Sequence, residues 1–521
     1  MHADLSRLTF RPDRHYSAVI AQQGRVQLDA DANEQAAIQL HQARTLAADL
    51  IGPHGGPIGS AGFRVEYVGG RHDIDTLFIH GGRYYVDGIL LDADRPAPGT
   101  PVPADDEETQ EPDPDSGAEP PAYWTYWDQP DGFRDPEKPA DRLPSPAQSP
   151  FLVYLKVWER SVTAAEDPAL REVALGAALP DTAARVKVVW QVLPLSLAAL
   201  DIEESEPSKA AVSDAFDRWA LKQSTPTARL AARSERPDHA DEDPCLVRPD
   251  ARYRGLENQL YRVEIHDGGE AKDASFKWSR ENGSVVFPVD ELDGTWVQLA
   301  SLGHDAKLDL DVGDRVEFTD TAYSSRLEPL PLLRVEELDL PGRRVRLSAE
   351  PEPGVGRLPG LNPFLRRWDH HEGPRRKGRT TTLRNGAVPV TEGEWLPLED
   401  GIEVYFAKGA AYTTGDHWLV PARTATGSVE WPHDQARRPL LQAPAGIARS
   451  FAPLALVQGE GSTVDLRRAF GWAASSIPAA DDAALATEAQ ARREEQTADT
   501  DPSHGRSQTT AEAEAAVEGE K

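Results

Sequence analysis

A chain of 521 residues is long enough for two to four domains, each able to bury a core of ordinary size. Its formal net charge of −30 makes nucleic acid and anionic membrane surfaces poor partners, because like charge repels across a Debye length. A single cysteine, Cys245, excludes an intramolecular disulfide framework and any multi-cysteine zinc or iron–sulfur site. No apolar run reaches the roughly 18 residues of a membrane span, so no membrane insertion is expected. The charged start (Asp4, Arg7, Arg11, Asp13, Arg14) lacks the apolar segment of a secretory leader, which leads us to expect synthesis in the cytoplasm.

Residues 1–98 read as a helix and β-hairpin module. Leu8-Thr9-Phe10 and Tyr16 to Ile20 are short extended pieces broken by Pro12. The stretch Gln22 to Gln35 then passes through a Gly24-Arg25 turn into the one long helix of the folded chain. Asp31 followed three residues later by Glu34 has the form of a capping box, and Ile38, Leu40, Ala43, Leu46, Ala47 and Leu50 follow at roughly helical spacing. Gly52-Pro53 should end that helix. From Gly62 the period changes to two, and Gly81-Gly82 between apolar runs predicts a hairpin turn into Arg83 to Leu91.

Residues 99–150 form a proline-rich acidic loop or linker with twelve prolines, too poor in apolar residues to offset its ordering entropy. Within it, Tyr123, Trp124, Tyr126 and Trp127 supply either a stacking platform for a sugar or base, or a pin that ties the loop to a neighbouring sheet. The second is the commoner use of aromatic area. Residues 151–200 hold strands of a central domain. Phe151 to Trp158 carries one charge in eight residues, so both of its faces should be covered. Residues 201–252 read as a charged, partly helical insertion with a helix near Val212 to Leu221.

Residues 253–361 form the densest β region. Leu260 to His266 alternates, and Asn282-Gly283 after Phe276 to Arg280 is a favoured two-residue hairpin turn. A C-terminal β module spans 362–474, and 475–521 is an acidic, alanine- and glutamate-rich tail expected to be disordered. The predicted class is therefore mainly β and multi-domain: an N-terminal helix with a small β unit, then antiparallel sandwich- or barrel-like modules.

The acids of the Gln22–Gln35 stretch also invite a calcium-loop reading, which fails because its sixth position is Glu34 rather than Gly and its twelfth is Leu40 rather than Glu. His370-His371 has no ligand partner at zinc spacing, leaving only a site assembled from distant residues. Lys377 with Arg375, Arg376 and Arg379 is a basic knot suited to a phosphate or an acidic neighbour. No nucleophile elbow, phosphate-binding loop or dinucleotide turn occurs, and neither a catalytic set nor a cofactor nor a metal is predicted.

Leu8-Thr9-Phe10, His15-Tyr16, Gln22 to Asp31 and Asn33 to Gln35 resemble the N-terminal signature of a bacterial family of unknown function. Further blocks of that resemblance are Gly82 to Gly88, Tyr154 to Glu159, Glu257 to Val263, Phe276 to Arg280 and Gly415 to Arg423; Ala32 stands where the family pattern has Trp. The resemblance implies a gene of the kind often seen with phage-tail-like or contractile injection clusters, and the first module is similar to those that open some tail-fibre and baseplate proteins. The resemblance implies a non-enzymatic structural or adaptor component of such a particle, able to leave the cell with it, with protein partners or further copies of itself. In that reading Gly24 and Arg25 form an attachment turn and Asp31, Asn33 and Glu34 close the helix start. A glycan- or surface-binding β protein using the four aromatics is the alternative, and a hydrolase with a site built from distant residues is the third.

Overall fold

The computed structural model describes residues 1–69, 74–96, 123–146, 149–176, 179–204, 207–235, 252–303, 307–375, 379–459 and 461–471. The protein is β-rich, with 37% strand and 16% helix among the described residues. Among the described residues the α-helices are α1 (Asp29–Ile51), α2 (Lys209–Ser224) and the short α3 (Thr321–Arg326). Among the described residues no helix is long and apolar enough to cross a membrane. Residues 99–122 of the proline-rich stretch, Cys245, the centre of the basic knot and the acidic tail lie outside the described residues.

Strand Phe151–Val162 shows why its apolar run needs cover on both sides. It pairs antiparallel with Arg185–Ser196 through twelve residues and with Arg449–Gly459 on its other edge. Phe151, Val153, Leu155 and Val157 point into one core, shared with Phe63, Tyr84, Tyr126 and Trp190. Leu152 and Tyr154 point the opposite way, onto Val212, Ala215 and Phe216 of α2. The alternation of side chains along a strand thus feeds two cores, and α2 supplies the second cover.

The other two units interlock with this one. Six strands close a barrel, in the order Val286–Asp293, Trp296–Leu299, Arg344–Leu347, Leu332–Asp339, Arg315–Thr319 and Phe364–Trp368. Beside it lies a five-stranded sheet in which Gln259–Ile265 is flanked by Ser275–Ser279 and His417–Arg423. The pairings of His417–Arg423 and Arg449–Gly459 with much earlier strands cross the divisions drawn from composition.

Two predicted hairpins are not hairpins. Thr76–His80 pairs with Val65–Val68 and Tyr123–Thr125, whereas Arg83–Val86 pairs with His54–Pro57 and Ile89–Asp92. Gly81-Gly82 therefore switches the chain between sheets, and the hairpin turn lies at Asp87-Gly88, both at positive φ. A Cβ on Gly88 would run into the carbonyl of Arg44, so glycine here lets α1 approach the turn closely. Asn282-Gly283 does adopt positive φ at both residues. Yet Ser275–Ser279 stays in the five-stranded sheet while Val286–Asp293 enters the barrel. The reason lies in the side chain: the Asn282 amide donates to the carbonyls of Met1 (3.0 Å) and Ala3 (2.8 Å), so the N-terminus occupies the gap.

Candidate functional site: the anchored N-terminal arm and helix

Period-two alternation on Gln259–Ile265 sends Tyr261, Val263 and Ile265 into the core of the five-stranded sheet. The polar alternates, Arg262 and Glu264, are buried as well, because the barrel packs over them. Lys277 joins them from between Phe276 and Trp278. Glu317 and Arg366 face them from barrel strands whose Val316, Phe318 and Leu365 point into the barrel core. The sheet and the barrel thus meet through a buried ionic centre.

His2 fills that centre. Its Nε2 is 2.8 Å from Glu264 Oε2, and its Nδ1 is 2.6 Å from Nη1 of Arg366. A guanidinium can only donate, so Nδ1 accepts and the proton sits on Nε2, facing the carboxylate. Burial, with Arg262 and Arg366 alongside, holds the imidazole well below its usual pKa and keeps it neutral. Burial opposes ionisation of Glu264, but Arg262 (2.6 Å) and Lys277 (3.4 Å) hold its carboxyl well below the usual range. Lys277 also binds Glu317 at 3.0 Å and lies 4.3 Å from the Trp368 ring centroid, while the Trp368 indole N–H donates to Glu317. Arg262, Glu264, Lys277 and Glu317 each meet an opposite charge, the condition under which buried ions are tolerated, while Arg366 bonds the neutral His2 ring. The backbone of His2 exchanges two hydrogen bonds with the Ser161 hydroxyl, at 2.7 and 3.0 Å.

From this root the arm is stitched to α1. The Ser6 amide and hydroxyl donate to Asp29, at 2.9 and 2.6 Å, and the Thr9 hydroxyl donates to Glu34 at 2.6 Å. Phe10 packs on His41, and the Val19 amide donates to Gln35 Oε1 at 2.7 Å. Arg44, farther along α1, grips Glu159 through two hydrogen bonds of 2.9 and 2.6 Å, fixing the helix to strand Phe151–Val162.

These bonds revise the roles of the predicted cap residues. Helix α1 begins at Asp29, so the N-cap is Leu28, and Asp31 stands at the third helical position. The Asp31 carboxylate reaches back to the Leu28 amide at 3.1 Å, which is the second half of a capping box without a polar N-cap. Glu34 caps nothing; it holds Thr9. Asn33 is exposed, as are Gly24 and Arg25. The turn itself is present, with the Arg25 amide donating to Gln22 O and Gly24 at φ +70. Asp29, Ser6, Thr9 and the His2–Glu264 pair were not singled out by sequence. Thr9 and Glu34 do sit in two blocks of the same signature, which is a signal for their contact.

What the stitched arm presents is apolar. Ile20 is 83% exposed, Val26 84%, Leu46 61% and Leu50 72%, joined by Leu8, Tyr16, Leu28 and Leu40. Eight large apolar side chains within 43 residues face solvent, while the arm's root is locked in a buried centre. Exposed apolar side chains gathered on one anchored segment suit an association surface.

The four aromatics of 123–127 are placed differently from a stacking platform. Tyr126 is buried, with its hydroxyl donating to Asp141 O, and Trp127 donates to Asp75 O. Tyr123 packs on Phe78 with centroids 4.4 Å apart, and Arg95 covers Trp124 at 4.7 Å. Trp124 and Trp127 pack against the first core, so the rings pin this segment to the strand Thr76–His80. His370 is buried and hydrogen-bonded to Gly386 O at 2.7 Å. Among the described residues, no three His, Cys, Asp or Glu side chains are grouped as a metal ion would need.

No curated protein and no solved structure matches the chain. A model of a family of unknown function, DUF6519, matches residues 1–117, 144–234 and 217–517, a span that takes in the arm, α1 and both sides of the ionic centre, and the chain belongs to that family.

Proposed function

We propose that this protein is a non-enzymatic structural or adaptor component of a phage-tail-like contractile particle, near the baseplate or the fibre attachment. The observation that supports an adaptor is the N-terminal segment, rigidly rooted through His2 and Arg44 yet presenting Ile20, Val26, Leu46 and Leu50 to solvent. A surface that stays apolar while its backbone is tied down at several points suits a preformed docking site, since little ordering entropy remains to be lost on binding. The particle setting rests on the resemblance of Gln22 to Gln35 and of the hairpin at Gly82 to Gly88 to the first modules of tail-fibre and baseplate proteins. The acidic exterior fits protein partners better than nucleic acid.

Affinity capture of the full chain from its native cell, followed by mass spectrometry, tests this reading. Sheath, tube or baseplate proteins are expected among the captured chains. Repeated capture without any of them would count against it.

A further inference from the structure

We propose that the outward face of α1 pairs antiparallel with the same face of a second copy of this chain. The inference rests on the reading of the N-terminal segment as an association surface and names what covers one part of it. On a helix, residues three or four apart share a face. Ala32, Ala36, Leu40, Ala43, Ala47 and Leu50 follow that spacing along α1. This stripe lies away from the face that buries Ala30 and Ile38, and Arg44, which holds Glu159, flanks it beside Leu40 and Ala47. Leu40 is 48% exposed and Leu50 72%, and of the six only Ala47 is not exposed.

The order of residues selects the occupant. A twofold interface must be complementary to itself, each residue meeting its counterpart's partner. Run antiparallel against its own copy, the stripe sets Leu50 on Ala32, Ala47 on Ala36 and Leu40 on Ala43. Both leucines fall on alanines, and the Ala47–Ala36 pairs between them let the two backbones approach. The alanines let two helix axes come within about 8 Å. Opposed helix dipoles favour the antiparallel sense.

Size and charge point the same way. With 23 residues, α1 is about 34 Å long and, at about 10 Å across, offers a strip of roughly 340 Å² per copy. That is short of the roughly 800 Å² a partner contributes to a standard interface, so the arm must take part. It borders the stripe at Gln35 and adds Tyr16, Ile20 and Val26. Residues 7–28 hold four arginines and one aspartate in a chain of net charge −30. Neither Arg14 nor Arg25 is ion-paired among the described residues, and the acidic surface of a second copy is complementary to them.

The test is the mass of the purified full chain by light scattering across a concentration series, with Leu40→Glu/Leu50→Glu as the variant and a denaturation curve to show that it folds. A wild-type mass of twice 57.0 kDa, halved in the variant, is the expected result. In a Cys245→Ser background, mixing Ala36→Cys with Ala47→Cys chains should yield a crosslinked mixed dimer, while Ala36→Cys alone should not crosslink. A wild type that stays monomeric, a dimer untouched by the double glutamate variant, or crosslinking by Ala36→Cys alone overturns the pairing. A monomer that still captures particle components overturns only the pairing, whereas a dimer that captures none overturns only the adaptor role.

Discussion

The Nε2 atom of His2 lies 2.8 Å from Oε2 of Glu264, joining residues 262 positions apart in the seam between the sheet and the barrel. The contact makes the arm's root part of that seam. Glu264→Ala would leave Arg262 and Lys277 without one of their counter-charges in a buried site. It should cost about 3–5 kcal/mol of stability, read from urea unfolding. Glu264→Gln keeps the shape and should cost less. Equal, small effects of both changes would show that the centre does not hold the arm.

The stitches along the arm differ in what they hold. Asp31→Ala removes an orphan-amide acceptor at the helix start and should cost about 0.5–2 kcal/mol, with the arm still in place. Glu34→Ala instead frees Thr9. Amide exchange should then speed up around residues 8–10 with little change inside α1. If the two variants gave the same exchange pattern, the division of roles between these acids would be wrong.

Tyr126 sits in the first core, and its hydroxyl is spent on a buried carbonyl. Tyr126→Ala should therefore cost about 3 kcal/mol or more, through the cavity and the lost contacts. Tyr126→Phe should cost about 1 kcal/mol for the one hydrogen bond, plus the penalty of a buried acceptor left alone. A Tyr126→Ala protein as stable as wild type would return these rings to the surface role that the packing denies them.

Acid should weaken the fold through buried histidines. Burial pushes His54 down to about 4, His266 to about 4 and His370 to about 3. The unfolded chain takes up these protons near pH 6.5 and the folded chain does not, so stability is whole above 6.5 and lost as the pH falls towards 4. Each group contributes up to about 1.4 kcal/mol per pH unit in that window. Glu399 acts in the opposite sense. Burial pushes its carboxyl up to about 7, so the folded chain keeps a proton that the unfolded chain releases, and stability falls as the pH rises from about 4.5 to 7. Unfolding titrations at several pH values should show a shallower acid limb in His370→Gln and a steeper one in Glu399→Gln. Identical limbs in all three proteins would contradict the assignment.

Strand positions were legible in the sequence where burial follows a simple period, as in Phe151 to Trp158 and Leu260 to His266. Which strands pair was not. Gly81-Gly82 and Asn282-Gly283 have the composition of hairpin turns, and Asn282 and Gly283 both adopt positive φ, but sheet membership is decided by burial far along the chain. The polar alternates Arg262 and Glu264 look like a solvent face until the barrel covers them. The helix start was visible from Asp31, whereas the ties of Asp29 to Ser6 and Glu34 to Thr9 depend on a fold-back of the arm that no local pattern encodes.

The adaptor role is tested most directly by where the protein sediments in its native cell. Wild-type protein should pellet with sheath and tube proteins in the particle fraction. Ile20→Asp/Val26→Asp, which charges the exposed arm without touching its root, should stay in the supernatant while the particles still pellet. Wild-type protein found wholly in the supernatant, with particles in the pellet, would contradict a place in the particle.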